Sequence, residues 1–133
     1  MEFKIYEYPL IIKEAHLDTF GHVNNATYLQ IYEEARWELI TNNGYGLKEI
    51  KNSGMGPVIL DIHIKFIKEL RLRERIIIHS QTNNQTGKIG TIKQWITNSK
   101  GEICSEILLT IGLFDTSKRK LIDPTPEWLA AIK

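Results

Sequence analysis

A chain of 133 residues has the usual size of one domain and buries enough surface for one ordinary core. Apolar residues at 42% and charged residues at 25% match a soluble globular protein and exclude a disordered tail or a fibre. A formal net charge of +1 leaves no whole-molecule field for gathering nucleic acid, and a lone cysteine, Cys104, excludes an intramolecular disulfide.

Phe3 to Ile12 is rich in β-branched and aromatic residues and reads as a first strand, with Pro9 placing it at an edge or interrupting it. Glu2, Lys4 and Glu7 break the basic-then-apolar layout of a signal peptide, and no apolar run approaches the roughly 20 residues needed to span a bilayer. No Cys/His cluster has zinc-site spacing, so neither a metal nor a cofactor is expected, and Cys104 reads as a buried inert thiol. The expected location is the cytoplasm, with no membrane association.

From Asn25 to Asn42, Tyr28, Ile31, Tyr32, Ala35 and Leu39 recur at helical spacing as one apolar stripe. Asn24 is a good N-cap, Val23 and Tyr28 stand where a hydrophobic staple packs, and Gly44 suits a left-handed C-terminus. Such a helix is about 27 Å long at about 1.5 Å per residue, enough to lie along a curved sheet. Beyond Gly54, Gly56 and Pro57, the segment Val58 to Ile67 sets Val58, Leu60, Ile62, Ile64 and Phe66 against Ile59, Asp61, His63 and Lys65, as in a half-covered strand. Arg75 to Asn83, Ile89 to Thr97 and Glu102 to Asp115 read as further strands in an antiparallel meander. Pro126 to Ile132 reads as one or two helical turns anchored by Trp128. One strand, one long helix and then several strands give an α+β layout whose sheet has free edges, so self-association as a homodimer or homotetramer is expected.

The loop before the helix packs Asp18, His22, Asn24 and Asn25 around Gly21. A helix N-terminus presents unpaired N–H groups that stabilise an oxygen becoming negative, and a nearby carboxylate activates water or attacks directly. The same residues also serve as ordinary turn and cap residues, and spacing alone leaves that alternative open. Lys65, Lys68, Arg71, Arg73 and Arg75 form the strongest basic run, suited to phosphates or to a plain charged connection. Glu33 and Glu34 read as solvated helix surface or as groups orienting the loop, and Trp37 as an exposed ring awaiting a loop or a subunit.

Asp18-x-x-Gly21-His22-Val23-Asn24-Asn25-x-x-Tyr28, followed by Glu33-Glu34-Ala35-Arg36, resembles the signature of hot-dog-fold acyl-CoA thioesterases of the 4-hydroxybenzoyl-CoA thioesterase type, and is similar to the matching segment of acyl-ACP thioesterases. The resemblance implies one hot-dog domain over 1–133, an antiparallel sheet of about five strands wrapped around one long helix. It implies hydrolysis of an acyl-CoA, less readily an acyl-ACP, with paired subunits and substrate near their interface. Asp18 matches the catalytic base or nucleophile, and the backbone N–H near Asn25 matches the donor that polarises the thioester carbonyl. His22 is carried over as a supporting catalytic residue, Gly21 and Asn24 are set toward the substrate, and the basic run offers Lys65, Lys68 and Arg71 to the phosphates of coenzyme A. The acyl-ACP branch has an asparagine two positions after the aspartate; here Phe20 stands there, which favours the aspartate-and-helix mechanism. A noncatalytic acyl-thioester binder and a hot-dog dehydratase or hydratase are the alternatives. Asp18 argues against the first, and the absence of a proline-rich loop argues against the second.

Overall fold

The computed structural model describes residues 2–133; Met1, the first residue of the segment judged for leader character, lies outside them. In chain order the elements are β1 (Tyr6–Ile11), α1 (Asn25–Asn42), α2 (Leu47–Ser53), β2 (Met55–Phe66), β3 (Arg75–Thr86), β4 (Ile89–Thr97), β5 (Ile103–Asp115), β6 (Lys120–Ile122) and α3 (Pro126–Ile132). A 3-10 turn, Glu14–His16, follows β1.

The sheet runs β1-β3-β4-β5-β2, every pair antiparallel, and β6 pairs with β5 at its C-terminal end. It thus has six strands where about five were expected, the sixth being a three-residue strand too short to leave a periodic trace. β1 and β2 are left as edges, and Pro9 sits in β1, where a missing N–H donor does least harm.

Strict alternation on the three central strands builds the inner face. Ile76, Ile78, Ser80 and Thr82 of β3, Ile92, Gln94 and Ile96 of β4, and Ile107, Leu109, Ile111 and Leu113 of β5 are all buried. Helix α1 lies across this face and buries Tyr28, Ile31, Tyr32, Ala35, Leu39 and Ile40, the predicted stripe plus one residue. At its end, the Asn43 side-chain amide donates to the Ala131 carbonyl at 2.8 Å and to the Tyr6 hydroxyl at 2.9 Å, tying α1 to α3 and β1. Trp128 of α3 is buried edge-to-face against Tyr45, with ring centroids 5.6 Å apart.

Strand β2 departs from its expected alternation. Directly opposed residues share a face, so Val58, opposite Gly112, lies on the outer face, while Ile62, opposite Leu109, lies on the inner one. A register shift between Ile59 and Asp61 inserts one residue and moves the phase, so Val58 and Leu60 do not share a face with Ile62, Ile64 and Phe66. Nor is the apolar face fully covered: Ile62 and Phe66 remain exposed at this edge. Among the described residues, no helix is long and apolar enough to cross a membrane.

Candidate active site

The loop between the 3-10 turn and α1 closes on itself through Asp18. Asp18 Oδ1 accepts from the Phe20 N–H at 2.9 Å and the His22 N–H at 3.0 Å. The Asp18 N–H donates to the His22 carbonyl at 2.9 Å, and the Gly21 N–H donates to the Asp18 carbonyl at 3.0 Å. Gly21 adopts φ +77°, which a side chain disfavours, so glycine is what allows so tight a turn. The result fixes the carboxylate by one oxygen and leaves Oδ2 without a protein partner among the described residues.

Three residues after Gly21 stands the N-cap of the helix. Asn24 Oδ1 accepts from the Thr27 N–H at 3.0 Å and from the Thr27 hydroxyl at 3.2 Å, while the Tyr28 N–H donates to the Asn24 carbonyl. That cap satisfies the third helical N–H and leaves those of Asn25 and Ala26 without an acceptor among the described residues. These two donors, at the positive end of an 18-residue helix, suit a developing oxyanion.

A groove opens beside this helix start. His22, Val23, Asn25 and Tyr28 form one wall, and Phe66, Ile67, Lys68, Glu69 and Leu70 form the other. Tyr28 meets Phe66 edge-to-face with centroids 5.0 Å apart, and His22 Nε2 stands 3.8 Å from Glu69 Oε1 at the rim. Asp18 itself is not in the wall of this groove.

The residues singled out from the sequence are therefore only partly brought together. His22 and Asn25 face the groove, as does Lys68, which also pairs with the Glu102 carboxylate. Asn24 has its side-chain oxygen committed to the cap, and Gly21 shapes the turn. Lys65 lies on the outer face opposite Glu106, away from the groove, and Arg71 is exposed on the β2–β3 connection. Arg73 pairs with Glu14 at 2.5 Å, so the basic run is dispersed by strand alternation and by its own ion pairs. Glu34 accepts from the Tyr8 hydroxyl at 2.5 Å, which ties α1 to β1. That bond, with burial and the nearby carboxylates of Glu34 and Glu38, pushes the Tyr8 pKa up to about 12. Cys104 is buried, and burial raises its thiol above the ordinary range.

Apart from Lys68, sequence reasoning missed the groove's far wall. Phe66 and Ile67 extend the apolar run of β2 past its last core contact, and that overrun was the available signal. Gln94, fully buried at the centre of the sheet, was also missed; a glutamine inside an alternating strand gives no sign of its partner.

The family model of the thioesterase-like superfamily matches residues 13–132. The long-chain acyl-CoA thioesterase FadM of Escherichia coli K12 is 30% identical over 112 residues, 84% of each chain. Among solved structures, the probable thioesterase YbaW of Escherichia coli superposes with a TM-score of 0.82 at 28% identity, covering 95% of this chain and 97% of that one. Protein SAV2348 of Staphylococcus aureus, solved in complex with CoA, superposes with a TM-score of 0.90 at 17% identity, over 99% of this chain and 84% of the other. At that identity the likeness concerns the fold, an antiparallel sheet wrapped around a long helix in the hot-dog manner.

Proposed function

Because the chain belongs to the thioesterase-like superfamily, we propose that it is an acyl-CoA thioesterase whose 133 residues form one catalytic domain with its chemistry in the loop Asp18 to Asn25. It hydrolyses a thioester to a carboxylic acid and a thiol. One observation carries the site assignment. Among the described residues, Asp18 is held by one carboxylate oxygen and free at the other, on the loop that leads into a helix start with two unpaired N–H donors.

In this reading Asp18 takes a proton from water, which adds to the acyl carbon, or attacks that carbon directly. The former carbonyl oxygen becomes negative and is received by the N–H groups of Asn25 and Ala26. The C–S bond then breaks: in the first route the leaving thiolate takes up the proton held by Asp18, and in the second the acyl group stays on Asp18 as an anhydride until water cleaves it, freeing the acid and the carboxylate and supplying the thiolate's proton. His22 lines the groove beside Asn25 and supports substrate placement, and Lys68 suits the phosphates of coenzyme A.

The working unit we propose is a dimer joined at β2. An edge strand with exposed Ile62, Phe66 and, just past its end, Ile67 is a poor surface to leave in water. Thiol release from acyl-CoAs of graded length, followed with a thiol reagent, tests the activity, and sedimentation of the same sample tests the dimer. Absence of thiol release from every acyl-CoA would overturn the assignment.

A further inference from the structure

At the other end of α1 from the catalytic loop, a cavity of about 100 Å³ opens between the helix and the inner face of the sheet. Its walls include Leu39, Ile59, Ile92, Ile111 and Trp128, and into this apolar space comes Arg36. Arg36 Nη1 donates to Gln94 Oε1 at 2.9 Å. Gln94 is in turn fixed by donating to the Tyr32 carbonyl at 3.1 Å and to Ser80 Oγ at 2.9 Å, so its oxygen is aimed at the guanidinium.

A guanidinium carries five N–H donors, and among the described residues this one is satisfied at a single site. None of the three ion pairs among the described residues involves it. Burial pushes Arg36 below its ordinary pKa, and Glu33, one turn earlier on the same cavity wall, pulls it back up. Filling this space needs no charge: a methionine would do so without the desolvation cost. The spare donors are what the arginine adds.

The cavity and the catalytic groove lie along the same inner face of β2. Phe66, Ile64, Ile62 and Ile59 of β2 oppose Ser105, Ile107, Leu109 and Ile111 and share the inner face, so they form an apolar floor from Phe66 in the groove to Ile59 in the cavity. From Asn25 to Arg36 along α1 is about 16 Å at about 1.5 Å per residue. That is the reach of a long aliphatic chain and well beyond a single aromatic ring.

We infer that Arg36 reads the far end of the acyl chain, and that the preferred substrates are long acyl thioesters carrying an uncharged oxygen, a hydroxyl, near that end. This rests on the acyl-CoA thioesterase reading above. Glu33 decides between oxygens. A hydroxyl accepts from Arg36 and donates to Glu33, whereas a terminal carboxylate would face the charge of Glu33.

The test is thiol release from dodecanoyl-CoA and from its ω-hydroxy and ω-carboxy analogues by the wild type, Arg36→Met and Glu33→Gln. Wild type is expected to show kcat/KM roughly tenfold higher for the ω-hydroxy chain than for the plain one, the worth of one hydrogen bond to a charged donor. Arg36→Met brings that ratio toward one, and Glu33→Gln narrows the gap between the ω-hydroxy and ω-carboxy chains. A wild-type ratio near one overturns the inference without any variant, and so does a ratio that Arg36→Met leaves in place. Preference for the ω-carboxy chain overturns the hydroxyl assignment. Hydrolysis of dodecanoyl-CoA without hydroxyl preference, or hydrolysis of none of the three while another acyl-CoA of the graded series is turned over, removes this inference alone, whereas no thiol release from any acyl-CoA removes the thioesterase reading with it.

Discussion

Replacing Asp18 by asparagine separates the chemistry of the loop from its shape. Oδ1 of the aspartate accepts from the Phe20 and His22 N–H groups at 2.9 and 3.0 Å, and asparagine offers the same oxygen to the same donors. Each bond passes from a charged acceptor to a neutral one, a loss of about 1 kcal/mol apiece at most, and at this half-buried position roughly 1 kcal/mol in all. The melting temperature should fall by about 2 to 6 °C. The base or nucleophile, in contrast, is removed outright, and general-base catalysis is worth about a hundredfold to ten-thousandfold, or about 3 to 5 kcal/mol of barrier. Steady-state thiol release should therefore show kcat reduced by that factor with KM little changed. Asp18→Ala, which also deprives Phe20 and His22 of their acceptor, should melt lower still. If Asp18→Asn kept more than about a tenth of wild-type kcat with the loop intact, the carboxylate would not be the catalytic group.

Three further outcomes are expected. Asn24→Ala removes the acceptor of the Thr27 N–H and should cost about 1 kcal/mol in chemical denaturation, with Asn24→Ser recovering most of it; an unchanged midpoint would mean the cap contributes nothing. Tyr8 keeps its proton up to about 12 in the folded chain against an ordinary 10.0, so its contribution is whole below pH 10 and is lost as pH rises from 10 to about 12. Melting temperature should drop more steeply over that window in wild type than in Tyr8→Phe, and parallel slopes would contradict the Tyr8–Glu34 assignment. Ile62→Lys sets a charge on the exposed edge of β2 and should shift sedimentation from dimer to monomer; a variant that still sediments as a dimer would place the interface elsewhere.

Where one physical signal dominates a segment, the sequence is readable. Helix α1 was bounded at Asn25 and Asn42 because an apolar stripe, an asparagine cap and a following glycine agree on the same limits, and Asn24 and Gly44 take those positions. β4 was bounded equally well between its two turns. Helix α2 escaped because seven residues with two apolar side chains give no period, and it is made by Glu49 accepting from the Gly46 N–H and by Gly54 at φ +73°. β2 misled for a different reason. Its apolar residues do alternate, but one bulged residue exchanges the faces midway, and nothing in the letters from Val58 to Phe66 marks that point. At the candidate site, the closing of the loop by Asp18 was implied by residue types that favour turns. The opposite wall, Phe66 to Leu70, is joined to it only by the fold, across some forty residues of chain.

The absence of Asp18 from the groove wall bears directly on how the site works. Its Oδ1 is tied to the loop by two N–H bonds, so the carboxylate cannot swing into the groove without breaking both. The donors of the helix start and the groove wall containing His22 and Asn25 are likewise fixed by the Asn24 cap. What remains open is the β2 side, where Phe66 and Ile67 of the groove wall run on from the exposed Ile62 of the same strand. In the proposed dimer a second copy docked on that edge would cover the apolar strip and close the groove in one step, and substrate would then lie between a wall from each subunit. On this account dimerisation and activity are the same event. Specific activity per chain should fall on dilution through the dimer dissociation range, and Ile62→Lys should lose turnover in proportion to its monomer fraction. A monomeric Ile62→Lys with full turnover per chain would show that one protomer carries a complete site.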